Sequence, residues 1–139
     1  MRKTSVMGGA IVALFLLGAP GALLSSALLS SAWAGPWEDG MAAYNRGDYV
    51  PAIRLFRPLA EQGNPKAQSV IGAMYRKGQG VAKNSVRTFM WFSLAAKRGD
   101  AKANAELQQV SRDMTPAEMS QAREMMQACE ASDYRNCEY

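Results

Sequence analysis

The chain repeats itself at a displacement of 36 residues. Leu55-Phe56 recurs as Trp91-Phe92, Leu59-Ala60 as Ala95-Ala96, and Gly63-Asn64 as Gly99-Asp100. Ile53 corresponds to Phe89, and Ala67 to Ala103. A period in this range marks stacked helical hairpins, because one hairpin cannot bury its apolar face alone and must lay it on a neighbour. It points to an all-α fold and favours a binding surface over an active-site pocket. The clearest unit is Ala67 to Asp100, which reads as helix, glycine-marked turn, helix and glycine stop. Val70, Ile71 and Met74 fall on one side of its first helix. Phe89, Phe92 and Ala96 do so on the second, with Trp91 and Ala95 beside them. Small residues (Ala67, Gly72, Ala73, Ala95, Ala96) let the two backbones approach, and the large ones fill the remaining space. In the turn Lys77-Gly78-Gln79-Gly80-Val81, two glycines permit positive φ.

The flanks continue the pattern. Trp37 to Asn45 predicts a first helix, closed by Arg46-Gly47-Asp48, with Asp48 placed to cap the next helix. That second helix runs from about Tyr49 to Glu61. Pro51 is tolerated in its first turn, whereas Pro58 predicts a kink. Trp37, Tyr44 and Phe56 read as core packing between hairpins, the alternative being exposed anchors for a partner. Arg76 and Lys77, at a helix end, read as a solvated cap on the negative pole of the helix rather than an anion site. Asp100 predicts a cap for a helix over Ala101–Arg112, which opens a third hairpin. Thr115-Pro116-Ala117-Glu118 has the form of a capping box, and its helix runs to about Glu130. Met119, Ala122, Met125 and Met126 give that helix an apolar stripe, suited to covering the last apolar face of the stack. A pliable partner-binding face is the alternative reading of those methionines.

Residues 1–34 read as a leader rather than part of the fold. Arg2 and Lys3 give a positive start, Val6 to Ala34 carries no charge, and Ala32-Trp33-Ala34 presents small residues where signal peptidase reads. Cleavage after Ala34 leaves residues 35–139 as one small domain. A retained anchor is the alternative, since Val6 to Leu29 spans 24 residues and a bilayer needs about 20. In an exported chain, Cys129 and Cys137, eight positions apart, predict a disulfide that ties the tail to the final helix.

Composition excludes several chemistries. The chain has 139 residues and no histidine, which removes the commonest general base and the commonest metal ligand. Two cysteines without histidine do not make a zinc site, so no metal and no cofactor is expected. Taking Arg2 and Lys3 from the 16 basic residues leaves 14 against 12 acids. That excess is too mild and too scattered for nucleic acid.

The run A-Q-x-x-I-G-x-M-Y-x-x-G-x-G-V-x-x-N, followed by W-F-x-x-A-A-x-x-G-D-x-x-A, resembles the Sel-one-like repeat family. These are tetratricopeptide-related helical repeats. The match rests on Ala67, Gly72, Met74, Tyr75, Gly78, Gly80, Val81, Asn84, Trp91, Ala95, Ala96, Gly99 and Ala103. It is full over residues 67–103, partial over 40–66 and weaker over 104–126. Thr88-Phe89 departs from the small residue usual there, which implies local repacking. The resemblance implies an α-solenoid of stacked antiparallel hairpins, about two and a half repeats with a C-terminal capping helix. It implies a protein-binding or adaptor role and no particular reaction. By analogy with such folds, the first helix of each hairpin supplies the inner surface, which makes Met41, Tyr44, Gln68 and Tyr75 candidate contacts for a protein or peptide partner. A membrane-tethered or self-associating envelope subunit is the alternative, with membrane contact only if the leader is uncleaved. A cell-wall enzyme is the remaining one, because some relatives are linked to penicillin binding. No serine precedes a lysine by three positions, however, and without histidine no Ser-His-Asp set exists.

Overall fold

In the computed structural model, residues 34–135 and 137 are described, and the expected leader over 1–34 lies outside them except for Ala34. Six helices follow one another: α1 (Pro36–Arg46), α2 (Tyr49–Glu61), α3 (Pro65–Lys77), α4 (Ser85–Lys97), α5 (Ala101–Arg112) and α6 (Pro116–Ala131). There is no strand among the described residues. From α1 to α5 each helix packs on the next, and α6 lies on α4. The result is a stack in which α1, α3 and α5 are the first helices of their hairpins and α2, α4 and α6 the second.

Local chemistry sets the boundaries. The amides of Lys66 and Ala67 donate to Asn64 Oδ1 at 3.0 and 3.1 Å, which starts α3. Ala103 N donates to Asp100 Oδ1 at 2.9 Å, which starts α5 as expected. Thr115 and Glu118 form the expected capping box on α6. The Thr115 amide and hydroxyl hold the exposed Glu118 carboxyl below the usual glutamate range. Asp48 is the exception. It occupies the N-cap of α2 but makes no cap bond through its side chain. Proline at position 51 removes the third amide of the helix, the one such a carboxylate reaches for, and Asp48 pairs with Arg46 at 3.0 Å instead. α2 continues through Pro58, which sits on its exposed side, to Glu61.

Two apolar cores share α4 as their common wall. Trp91 joins Phe56, Ile71, Met74, Met90 and Leu94 in the first. Phe92, one position on, joins Ala95, Ala103, Val110, Met114 and Ala122 in the second. Phe89 and Ala96 pack on that second core, on the side expected of them. Each of the first two hairpins places a glycine of its first helix under a phenylalanine of its second. A Cβ on Gly40 would stand 2.7 Å from the Phe56 ring, and one on Gly72 would stand 3.0 Å from Phe92. Bare backbone at these positions lets the helices close on the rings.

Cys129 and Cys137 are joined in a disulfide, and both are buried. The tail between them turns back so that Tyr134 lies on the Arg98 guanidinium, 4.6 Å from its ring centroid. Arg98 in turn covers Gly63, the turn between α2 and α3. The bridge therefore ties the end of α6 to the α4–α5 connection at Arg98, which in turn lies over the α2–α3 connection. Replacing both cysteines by alanine lowers the unfolding free energy by about 2–3 kcal/mol, the entropy of closing so short a loop. Urea unfolding checks this, and reduced wild-type protein should match the double variant.

Candidate functional site

The first helices α1, α3 and α5 line a groove of about 320 Å³. α1 contributes Trp37, Met41 and Tyr44. α3 contributes Lys66, Ser69, Val70, Ala73, Arg76 and Lys77. Lys102 and Glu106 come from α5, with Asp100 at its cap, and Phe92 reaches in from α4. The steps of three and four along each helix put these residues on one face. The aromatic floor is held from behind. Trp37 lies on buried Phe56 with ring centroids 5.3 Å apart. Tyr44 meets Tyr49 edge-on at 5.4 Å. Its hydroxyl donates to Gln79 Oε1, in the α3–α4 turn, at 3.0 Å. Trp37 therefore has one side on the core and the other on the groove.

The walls are charged. Arg76 Nη1 pairs with Glu106 Oε2, which links α3 to α5. Among the described residues, Lys66, Lys77 and Lys102 have no ion-pair partner, and all three are exposed.

Met41 and Tyr44, two of the expected contacts, line this groove. Gln68 and Tyr75 do not. Gln68 is fully buried, and its Nε2 donates to the Ala60 carbonyl at 3.0 Å. Tyr75 is 3% exposed, and its hydroxyl accepts from Arg87 Nη1 at 3.0 Å. Both fail as surface contacts for one reason: α3 is flanked by α2 and α4, so side chains on both flanks are enclosed. Sequence reasoning missed Lys66, Val70, Ala73 and Lys102 as groove residues. A signal existed for the two lysines, which stand 36 positions apart, the repeat distance itself. Ala34, the expected cleavage position, lies two residues before the start of α1. Among the described residues no helix is long and apolar enough to cross a membrane.

A stack of antiparallel helical hairpins, with its first helices around a groove, defines an α-solenoid repeat protein. The Sel1 repeat matches residues 40–64 and 65–100, most of the hairpins α1–α2 and α3–α4, so the chain carries Sel1 repeats. A protein from Rhizobium meliloti (strain 1021), named exopolysaccharide production negative regulator, is 33% identical over 60 residues. The match covers 43% of this chain and 22% of that protein, so the chain spans about a fifth of that relative's length. Sel1 repeats generally mediate protein–protein interaction and are typically non-catalytic.

Proposed function

We propose that the chain is an exported, non-catalytic adaptor that holds a segment of a partner protein in the groove of α1, α3 and α5. The observation that carries this reading is the groove itself: an apolar floor of Trp37, Met41, Val70 and Ala73, built on the first helices of successive hairpins and rimmed by unpaired charge. Export is supported by the charge-free stretch that ends in Ala32-Trp33-Ala34 and by the Cys129–Cys137 bridge, which suits an oxidising compartment. Cleavage after Ala34 gives a chain that begins at Gly35. Intact mass of protein recovered from the producing cell checks it, and retention of residues 1–34 would contradict it. The relative's name makes it a regulator, and regulation by binding suits a module of this kind.

The groove is tested by photocrosslinking in that cell. A photoreactive residue at position 70, in the groove, captures a partner protein that the same residue at exposed position 124, on α6, does not. Met41→Glu, which replaces apolar floor by a carboxylate, removes the adduct. Equal adducts at both positions, or none at position 70, would rule the groove out.

A further inference from the structure

We infer that the segment held in this groove is acidic: a short stretch of partner chain that sets one or two apolar side chains on the Trp37–Met41–Val70 floor and its carboxylates against Lys66, Lys77 and Lys102. The inference rests on the groove being the binding site and adds the chemistry of its occupant.

Four cations line the groove, Lys66, Arg76, Lys77 and Lys102, against two acids, Asp100 and Glu106. Glu106 is committed to Arg76, and Asp100 is turned onto the Ala103 amide. Over residues 35–139 the remaining ten basic residues balance ten acids. The groove lining thus carries an excess of two positive charges, equal to the net excess of that whole region. Charge so placed meets an opposite charge on the partner and steers it in.

The fold does not require the lysines where they stand. Lys66 and Lys102 lie in the first turns of α3 and α5, where the positive pole of the helix disfavours a cation, and neither first turn carries an acid. They also occupy equivalent places in consecutive repeats, 36 residues apart. Lys77 closes the other end of α3, eleven residues from Lys66 and about 16 Å along the axis at 1.5 Å per residue. That length suits about five extended residues. A volume of about 320 Å³ is at the small end for binding pockets, enough for one or two anchoring side chains and too little for a whole helix. The cations also surround a concavity, whereas a lipid surface would be met by cations projecting from a flat or convex face.

The test is selection of a displayed library of random peptides, about a dozen residues long, on the purified chain. Enriched peptides are then synthesised and their binding measured by fluorescence anisotropy at low and high salt. The expected result is an excess of Asp and Glu beside one or two large apolar residues, with binding that falls as salt rises. Lys66→Glu/Lys77→Glu/Lys102→Glu weakens that binding about tenfold or more, whereas Arg123→Glu, an exposed charge on α6, leaves it unchanged. A thermal melt confirms that the triple variant is folded. Enrichment of neutral or basic peptides, equal binding to the triple variant, or no enrichment over a blank surface would each overturn the inference. So would lysine-dependent sedimentation with phosphatidylglycerol vesicles in place of peptide binding. The two readings fail separately: an adduct at position 70 that survives the triple reversal keeps the groove and removes its acidic occupant.

Discussion

Phe56→Ala lowers the unfolding free energy by about 3–5 kcal/mol, a large share of what holds a domain of this size together. The ring is fully buried and lies between Trp37 and the bare backbone of Gly40. Removing it leaves a cavity that two packed helices cannot close. The same geometry fixes the sign of a second substitution. Gly40→Ala in the wild-type chain puts a carbon 2.7 Å from the ring, where a fully buried neighbour has no room to yield. Overpacking of this kind costs about 1–3 kcal/mol, more than the roughly 1 kcal/mol that alanine gains over glycine in a helix. In the Phe56→Ala background the ring is gone and the helix gain remains, so Gly40→Ala becomes stabilising. Denaturant unfolding of the four proteins completes the cycle. Additive effects would show that glycine and ring do not share one space.

That contact also shows what the sequence discloses and what it withholds. The repeat distance is visible because Phe56 and Phe92 stand at equivalent places 36 apart. The glycines beneath them, Gly40 and Gly72, are 32 apart, because the α1–α2 turn is shorter than the α3–α4 turn. A fixed displacement therefore finds the rings and passes over their partners. Turns and caps were legible because they depend on near neighbours: Gly47, Gly63, Gly78, Gly80 and Gly99 all adopt positive φ. Asp48 misled because its capping depends on Pro51, three positions on, which lacks the amide to be capped.

The site was legible only in part, for a geometrical reason. The first helices of the hairpins were identified, and Met41 and Tyr44 with them. α3, however, is enclosed on both flanks, and seven of its 13 residues are buried. A polar residue on such a helix looks like surface in the sequence, and Gln68 spends its amide on the Ala60 carbonyl inside the stack. Only the narrow strip through Lys66, Ser69, Val70, Ala73, Arg76 and Lys77 meets the groove. The sequence shows that α3 is amphipathic. Which strip of a nearly buried helix stays open depends on how far α1 and α5 stand from it, and that is a property of the stack.

Gly80→Ala should be far more damaging than Gly78→Ala, although the two glycines share a turn and a conformation. Their φ values are +71° and +70°, so each alanine meets the left-handed penalty of about 1–2 kcal/mol. Around Gly78 nothing lies closer than 3.6 Å to the added carbon. At Gly80 the added carbon would stand 2.6 Å from the Tyr49 carbonyl oxygen and 3.0 Å from the Val50 amide. These are backbone atoms in the first turn of α2, and no rotamer change can move them aside. Either the turn between α3 and α4 lifts off α2, or α2 shifts. Overpacking adds about 1–3 kcal/mol to the loss. The displacement also reaches the groove. Gln79, next in the chain, accepts the hydrogen bond of the Tyr44 hydroxyl at 3.0 Å, and Tyr44 is part of the lining. Gly80→Ala should therefore weaken binding of a groove-selected peptide while position 80 itself stays outside the groove, and Gly78→Ala should leave binding near wild type. Thermal melts and anisotropy on both variants separate the effects. Equal losses of stability would mean that the turn is not wedged against α2. A destabilised Gly80→Ala protein that still binds fully would mean that the Gln79–Tyr44 bond does not shape the site.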